Sequence, residues 1–137
     1  MELLFRYEIE GEPASKANSR RIVMRGSKLA SIKSAKALHY ADAFRAQLPA
    51  DPVPYLGNVK IEVDVWYASR RPDLDISLIL DLLQGHAYVN DRQVKEQHAR
   101  WHLDTERPRC VILITALPGD DQTSGRGRSK GRPKGKA

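Results

Sequence analysis

Residues 70–94 read Arg70-Arg71-Pro72-Asp73-Leu74-Asp75-Ile76-Ser77-Leu78-Ile79-Leu80-Asp81-Leu82-Leu83-Gln84-Gly85-His86-Ala87-Tyr88-Val89-Asn90-Asp91-Arg92-Gln93-Val94. Two carboxylates lie one residue apart behind a proline, and a third follows after an apolar segment. Pro72 biases Arg71 to an extended backbone. From about Asp75 to Gln84 the residues are apolar almost all round, which predicts a short helix covered on most sides, by the sheet with or without a second subunit. Gly85 suits the position just past a helix end. Asp73 and Asp75 enter that helix from an extended lead, where residues i and i+2 face the same side. Inside a regular helix the same two would point roughly 200° apart. Sharing one side therefore requires the helix to begin at Asp75.

Working outward, residues 58–67 alternate Val59, Ile61, Val63 and Val65 against Lys60, Glu62, Asp64 and Trp66, the pattern of a half-buried strand. Residues 2–10 alternate in the same way, and Gly11-Glu12-Pro13 ends that run. Cys110 to Ala116 is apolar on both faces, as a central strand is, and residues 93–103 form a weaker strand candidate. Arg21–Met24 and Lys28–Ile32 flank Arg25-Gly26-Ser27 as a hairpin with Gly26 in the turn. Ser34 is placed to cap a helix running to about Leu48, with Ala37, Ala41, Phe44 and Leu48 on one face. Pro49, Pro52, Pro54 and Gly57 break the chain beyond it. These elements predict an α/β (α+β) fold, a mixed β-sheet with two main helices, in one domain over 1–118. His39 and Asp64 read as surface residues, and Trp66 and Tyr67 as packing or as contacts to a base or sugar.

The chain has 137 residues and a net charge of +6. Four of those six charges belong to residues 119–137, where Arg126, Arg128, Lys130, Arg132, Lys134 and Lys136 face only Asp120 and Asp121. A basic segment rich in Gly and Ser buries no core and is expected to be a disordered tail. Two readings of it stand: sequence-independent contact with a polyanion, or a solubilising tail. Residues 14–33 carry Lys16, Arg20 and Arg21 among six cations without a compensating acid, a pattern that favours phosphate contact. The single cysteine, Cys110, excludes an intrachain disulfide and a thiolate metal cluster. No apolar run reaches membrane-spanning length and no signal peptide opens the chain, so the expectation is a cytoplasmic protein.

Asp73, Asp75 and Asp91 present only oxygen, a hard donor set suited to Mg²⁺ or Mn²⁺ rather than zinc. Converging on a divalent metal, they would activate water and neutralise charge on an attacked phosphodiester. A purely structural reading competes: Asp75 caps the helix, Asp73 interacts with its dipole, and Asp91 forms an Asx-turn. Asp81 reads as structural. A basic module that binds nucleic acid without cutting it fits the charge equally well.

The wider pattern resembles the RusA-type Holliday-junction resolvases. It comprises Arg71-Pro72-Asp73-Leu74-Asp75, a helix with Asp81 ending Leu83-Gln84-Gly85, and Tyr88-Val89-Asn90-Asp91-Arg92-Gln93-Val94. Gly11-Glu12-Pro13-Ala14-Ser15-Lys16 and Ser34-Ala35-Lys36 are similar to the family as well. The resemblance implies that Asp73 and Asp75 are the paired metal ligands and Asp91 the third. It further implies a homodimer that binds four-way junctions, nicks them symmetrically with Mg²⁺ in DNA recombination and repair, and occurs in phages and prophages. Other branched DNA is the alternative substrate. The chain departs from the family in a shorter helix, in Ile76 for an asparagine and in Asn90 for an acid. It also lacks the family's helix lysine, leaving Arg70, Arg71, Lys95 and Arg100 as candidate cations toward DNA.

Overall fold

The computed structural model describes residues 2–15, 20–25 and 28–118, and only the backbone over 20–25 and 28–33. Four strands form one sheet in the order β1-β6-β4-β5. They are β1 (Leu3–Glu10), β4 (Val59–Tyr67), β5 (Val94–Leu103) and β6 (Arg109–Ala116). β2 (Arg20–Arg25) and β3 (Lys28–Lys33) pair antiparallel as a separate hairpin, as expected, with Arg25 in the strand opposite Lys28 rather than in the turn. The helices are α1 (Ala35–Ala46) and α2 (Ser77–Leu83). This is the mixed α+β architecture that the patterning predicts. The Gly26 turn, Lys16 and the 119–137 tail lie outside the described residues.

β4 shows why alternation is a strong strand signal. Val59, Ile61, Val63, Val65 and Tyr67 are buried on one face, and Lys60, Glu62, Asp64 and Trp66 are half-buried on the other. The buried face joins Tyr7 and Ile9 of β1, Cys110, Ile112 and Ile114 of β6, and the apolar sides of both helices in one core. Ser34 caps α1 as expected, its hydroxyl accepting the Ala37 N–H at 3.1 Å. Ala37, Tyr40, Ala41 and Phe44 of α1 face the sheet. Tyr40 lies with its hydroxyl 3.8 Å from Cys110 Sγ, and burial pushes that thiol up to about 12. Cys110 is a small core residue, as its setting suggests.

Three details differ from the sequence expectation. α2 starts at Ser77, two residues late, because Asp75 Oδ1 accepts the Ser77 N–H at 2.9 Å and holds Asp75 ahead of the helix. Leu78, Ile79, Leu82 and Leu83 are already buried within one chain, so the apolar character of α2 requires no second subunit. β6 is central, but only Cys110, Ile112 and Ile114 are buried along it, while Val111 and Leu113 are half-buried on the face opposite the helices.

On that open face Asp64 is not a lone solvated acid. Arg100 Nε and Nη2 donate to its two oxygens at 2.7 and 3.0 Å, and His102 Nε2 lies 2.8 Å from Oδ1. The Arg100 hydrogen bonds, with help from His102, hold the Asp64 carboxyl below its usual value. Trp66 packs there between the His102 ring, 4.6 Å away, and the Arg109 guanidinium, 4.2 Å from its centroid.

The pairing that positions the candidate site is β4 with β5, which run parallel from Val59↔Val94 to Tyr67↔Leu103. A parallel pair needs a crossover that returns the chain to the starting end. Residues 68–93, with α2 inside them, are that crossover.

Candidate active site

The crossover leaves β4 at Tyr67, and its first residues are fixed by aromatic side chains of the sheet. Trp101 Nε1 donates to the Pro72 carbonyl at 2.9 Å. The Asp75 amide donates to the Tyr67 hydroxyl at 3.4 Å, and the Tyr67 and Trp101 rings stack 5.7 Å apart. Burial raises the Tyr67 phenol above its ordinary value; the Asp75 amide offsets part of this, and the charges of Asp75 and Glu12 add to it. Tyr67 therefore stays a neutral hydroxyl near pH 7. Ser77 orients the Asp75 carboxylate, its hydroxyl donating to Oδ1 at 2.6 Å.

Asp73 and Asp75 line one cavity of about 480 Å³ with Glu12, Pro13, Ser15, Lys36, Ser69, Arg71, Pro72 and Leu74. Its walls come from three distant segments that meet at the C-terminal end of β4. Gly11, at φ +112°, takes a backbone conformation that side chains disfavour and turns the chain from β1 toward the cavity. Glu12 Oε1 then accepts the Ala68 N–H at 2.9 Å, and Oε2 lies 3.7 Å from Lys36 Nζ on the first turn of α1. Glu12 and Lys36 are the residues sequence reasoning missed at this site. They stand 24 positions apart; both fall in the segments that resemble the family, 11–16 and 34–36, but only the fold shows that these segments meet.

Asp91 is elsewhere. It opens a 3₁₀ turn, Asp91–Gln93, immediately before β5. Its amide donates to Gln84 Oε1 at 2.8 Å, at the C-terminal end of α2. Gln93 Nε2 donates to the Tyr55 and Gly57 carbonyls at 2.7 and 2.8 Å, which ties the turn to the segment leading into β4. Asp73 and Asp75 thus lie at one end of β4 and Asp91 at the other, along a strand on the order of 25 Å long at ~3.3 Å per residue. Among the described residues no three His, Cys, Asp or Glu side chains are grouped closely enough to hold a metal. One chain gathers the first two acids and not the third.

The model of the family described as Endodeoxyribonuclease RusA matches residues 10–115. The chain belongs to the RusA endodeoxyribonuclease family. No curated protein sequence matches it. As a RusA-family endonuclease it carries both acids of Asp73-Leu74-Asp75 on a single cavity. Of the seven cations picked out for DNA, Arg71 lines that cavity. Arg70 and Lys95 are exposed and are not among the residues that line it, and Arg100 is engaged by Asp64 and by Glu62. Lys16 and the side chains of Arg20 and Arg21 lie outside the described residues. Asp81 is exposed on α2. No helix among the described residues is long and apolar enough to cross a membrane.

Proposed function

We propose that this chain is a Mg²⁺-dependent endodeoxyribonuclease that resolves four-way DNA junctions by paired nicks, as a homodimer, in DNA recombination and repair. The observation that carries the reading is the placement of Asp73 and Asp75 on one cavity in a chain of the RusA family. The donor chemistry fits the metal. Mg²⁺ is typically held by one or two carboxylates, with water and substrate phosphate oxygens completing the shell. Asp73 and Asp75 would supply the carboxylates, with Mn²⁺ as a substitute. When bound, the metal supplies an activated water and neutralises charge at the attacked phosphate. The chain's own part is to hold the acids: Ser77 fixes the Asp75 carboxylate, and Tyr67 and Trp101 fix the backbone that carries both.

The third acid follows from the crossover. Since one chain holds Asp91 at the far end of β4, the set of three is completed by Asp91 of the partner subunit. A two-fold dimer built this way carries two equivalent sites, matching the symmetry of a four-way junction and of paired nicks. The hydrogen bonds that Asp75 accepts from Ser77 also suit a capping role without catalysis, so the test must separate the two.

A labelled synthetic junction, with and without Mg²⁺, is the substrate. The wild-type protein should nick opposing strands only with the metal. Asp75→Asn and Asp91→Asn should each lower cutting by about 10³-fold while keeping junction binding, since each removes a charge acting on the transition state. Mixing the two variants after subunit exchange should restore single nicks, because one of the two sites is then intact. Wild-type cutting by Asp75→Asn would overturn the site. A silent mixture would overturn completion by the second copy.

A further inference from the structure

We infer that Lys36 is the cation that meets the scissile phosphate at the Asp73–Asp75 cavity, and that Glu12 is the positioning residue that aims it. The inference rests on the proposed nuclease site. It starts from charge: the cavity is lined by the carboxylates Glu12, Asp73 and Asp75 and by the cations Lys36 and Arg71. The protein's own groups there carry three negative charges against two positive ones, so a lysine fixed beside the acids adds positive charge next to the metal for an approaching phosphodiester.

Glu12 is built as a holder rather than a metal ligand. One of its oxygens accepts the Ala68 amide at 2.9 Å and the other faces Lys36 Nζ at 3.7 Å. Its side chain is 22% exposed, against 54% for Lys36. The half-buried acid thus anchors to the end of β4 and holds a solvent-facing ammonium at the cavity mouth.

Lys36 also sits on a rigid support. It lies in the first turn of α1, next to the buried Ala37, on a helix whose face is packed into the core. The helix N-terminus adds partial positive charge at the same place. Arg71 lines the cavity from an irregular loop, and groups mounted on regular elements are held more precisely than those on loops. An exposed pair such as Lys36–Glu12 adds little to stability. Beside the two aspartates, its positive charge is available to an anion that binds there.

The test compares Lys36→Met, Lys36→Gln, Lys36→Arg and Glu12→Gln with Asp75→Asn, on the labelled junction at saturating protein in Mg²⁺, with junction affinity measured in EDTA. Removing the charge should slow cutting by about 100-fold, the usual effect of deleting one transition-state donor. Affinity should stay within a few-fold and the melting temperature should not change. Lys36→Arg should recover most of the rate. Glu12→Gln keeps an oxygen for the Ala68 amide but loses the negative charge that faces Lys36, and should fall between. If Asp75→Asn is inactive while both neutral Lys36 variants cut at the wild-type rate, the inference fails and the nuclease site stands. If Asp75→Asn cuts normally, the site itself fails. Parallel loss of affinity and cutting in the neutral variants would overturn the inference by making Lys36 a general DNA contact, and a lowered melting temperature in both would overturn it by making Lys36 structural.

Discussion

The two ends of the crossover both carry aspartates, yet they are built in opposite ways. At the first, residues 72–75 are held by groups that belong to the sheet: Trp101 takes the Pro72 carbonyl and Tyr67 takes the Asp75 amide. Because strands supply the restraint, the loop opens a cavity and presents its acids there. At the second, residues 90–93 are held mainly by their own side chains, with Gln84 Oε1 accepting the Asp91 amide. Asn90 Oδ1 accepts the Arg92 amide at 2.9 Å, and Gln93 Oε1 accepts the Val89 and Asn90 amides at 2.8 and 3.0 Å. The first end is a wall of a site; the second is a self-capped turn with an exposed acid at its tip. An Asp in a loop takes its meaning from what restrains the loop.

The largest test of that contrast is Gln93→Ala. It removes four hydrogen bonds from one half-buried side chain, two to Tyr55 and Gly57 and two from Val89 and Asn90. At about 1 kcal/mol net each, the variant should lose about 3–4 kcal/mol of stability in urea unfolding. A loss near zero would mean that the turn is held by something other than its own side chains.

Trp101→Phe probes the first end more gently. It deletes the Nε1 donor to Pro72 while keeping a ring against Tyr67, so the stability cost should be about 1 kcal/mol. Cutting should slow several-fold all the same, because the lost bond fixes the backbone carrying Asp73 and Asp75. If stability fell and the cutting rate did not, the aromatic restraint would serve folding alone.

The smallest effect belongs to the open sheet face, remote from both ends. The Asp64 carboxyl is held below the ordinary aspartate value in the folded protein, chiefly by Arg100 and then by His102. A depressed carboxyl contributes stability that is present above the unfolded pKa and lost as pH falls through the folded one. The stability gap between wild type and Asp64→Asn, followed by urea unfolding across pH, should therefore be constant above about pH 5. It should shrink as pH passes below 3.8. A gap that widened toward acid would break the assignment of that ion pair.

Much of this molecule was legible because its signals are local. Alternation at Val59–Tyr67 marks β4, Ser34 marks the start of α1, and the Asp73-Leu74-Asp75 spacing places two acids on one side. Even the late start of α2 has a local cause, the Asp75–Ser77 bond, though its strength against a further helical turn is not visible in the residue order.

The sequence by itself determined which segments form strands and helices, where the apolar faces of β1, β4 and α1 lie, and that Asp73 and Asp75 stand on one side. Tertiary structure alone decided that β5 runs parallel to β4, and that choice sends the crossover back along the sheet and carries Asp91 to the opposite end from the other two acids. It also decided that Glu12 and Lys36 share the cavity. The physical reason is common to both. Strand direction and the meeting of distant segments are set by how the buried faces pack together, a property of the whole chain that no window of sequence contains.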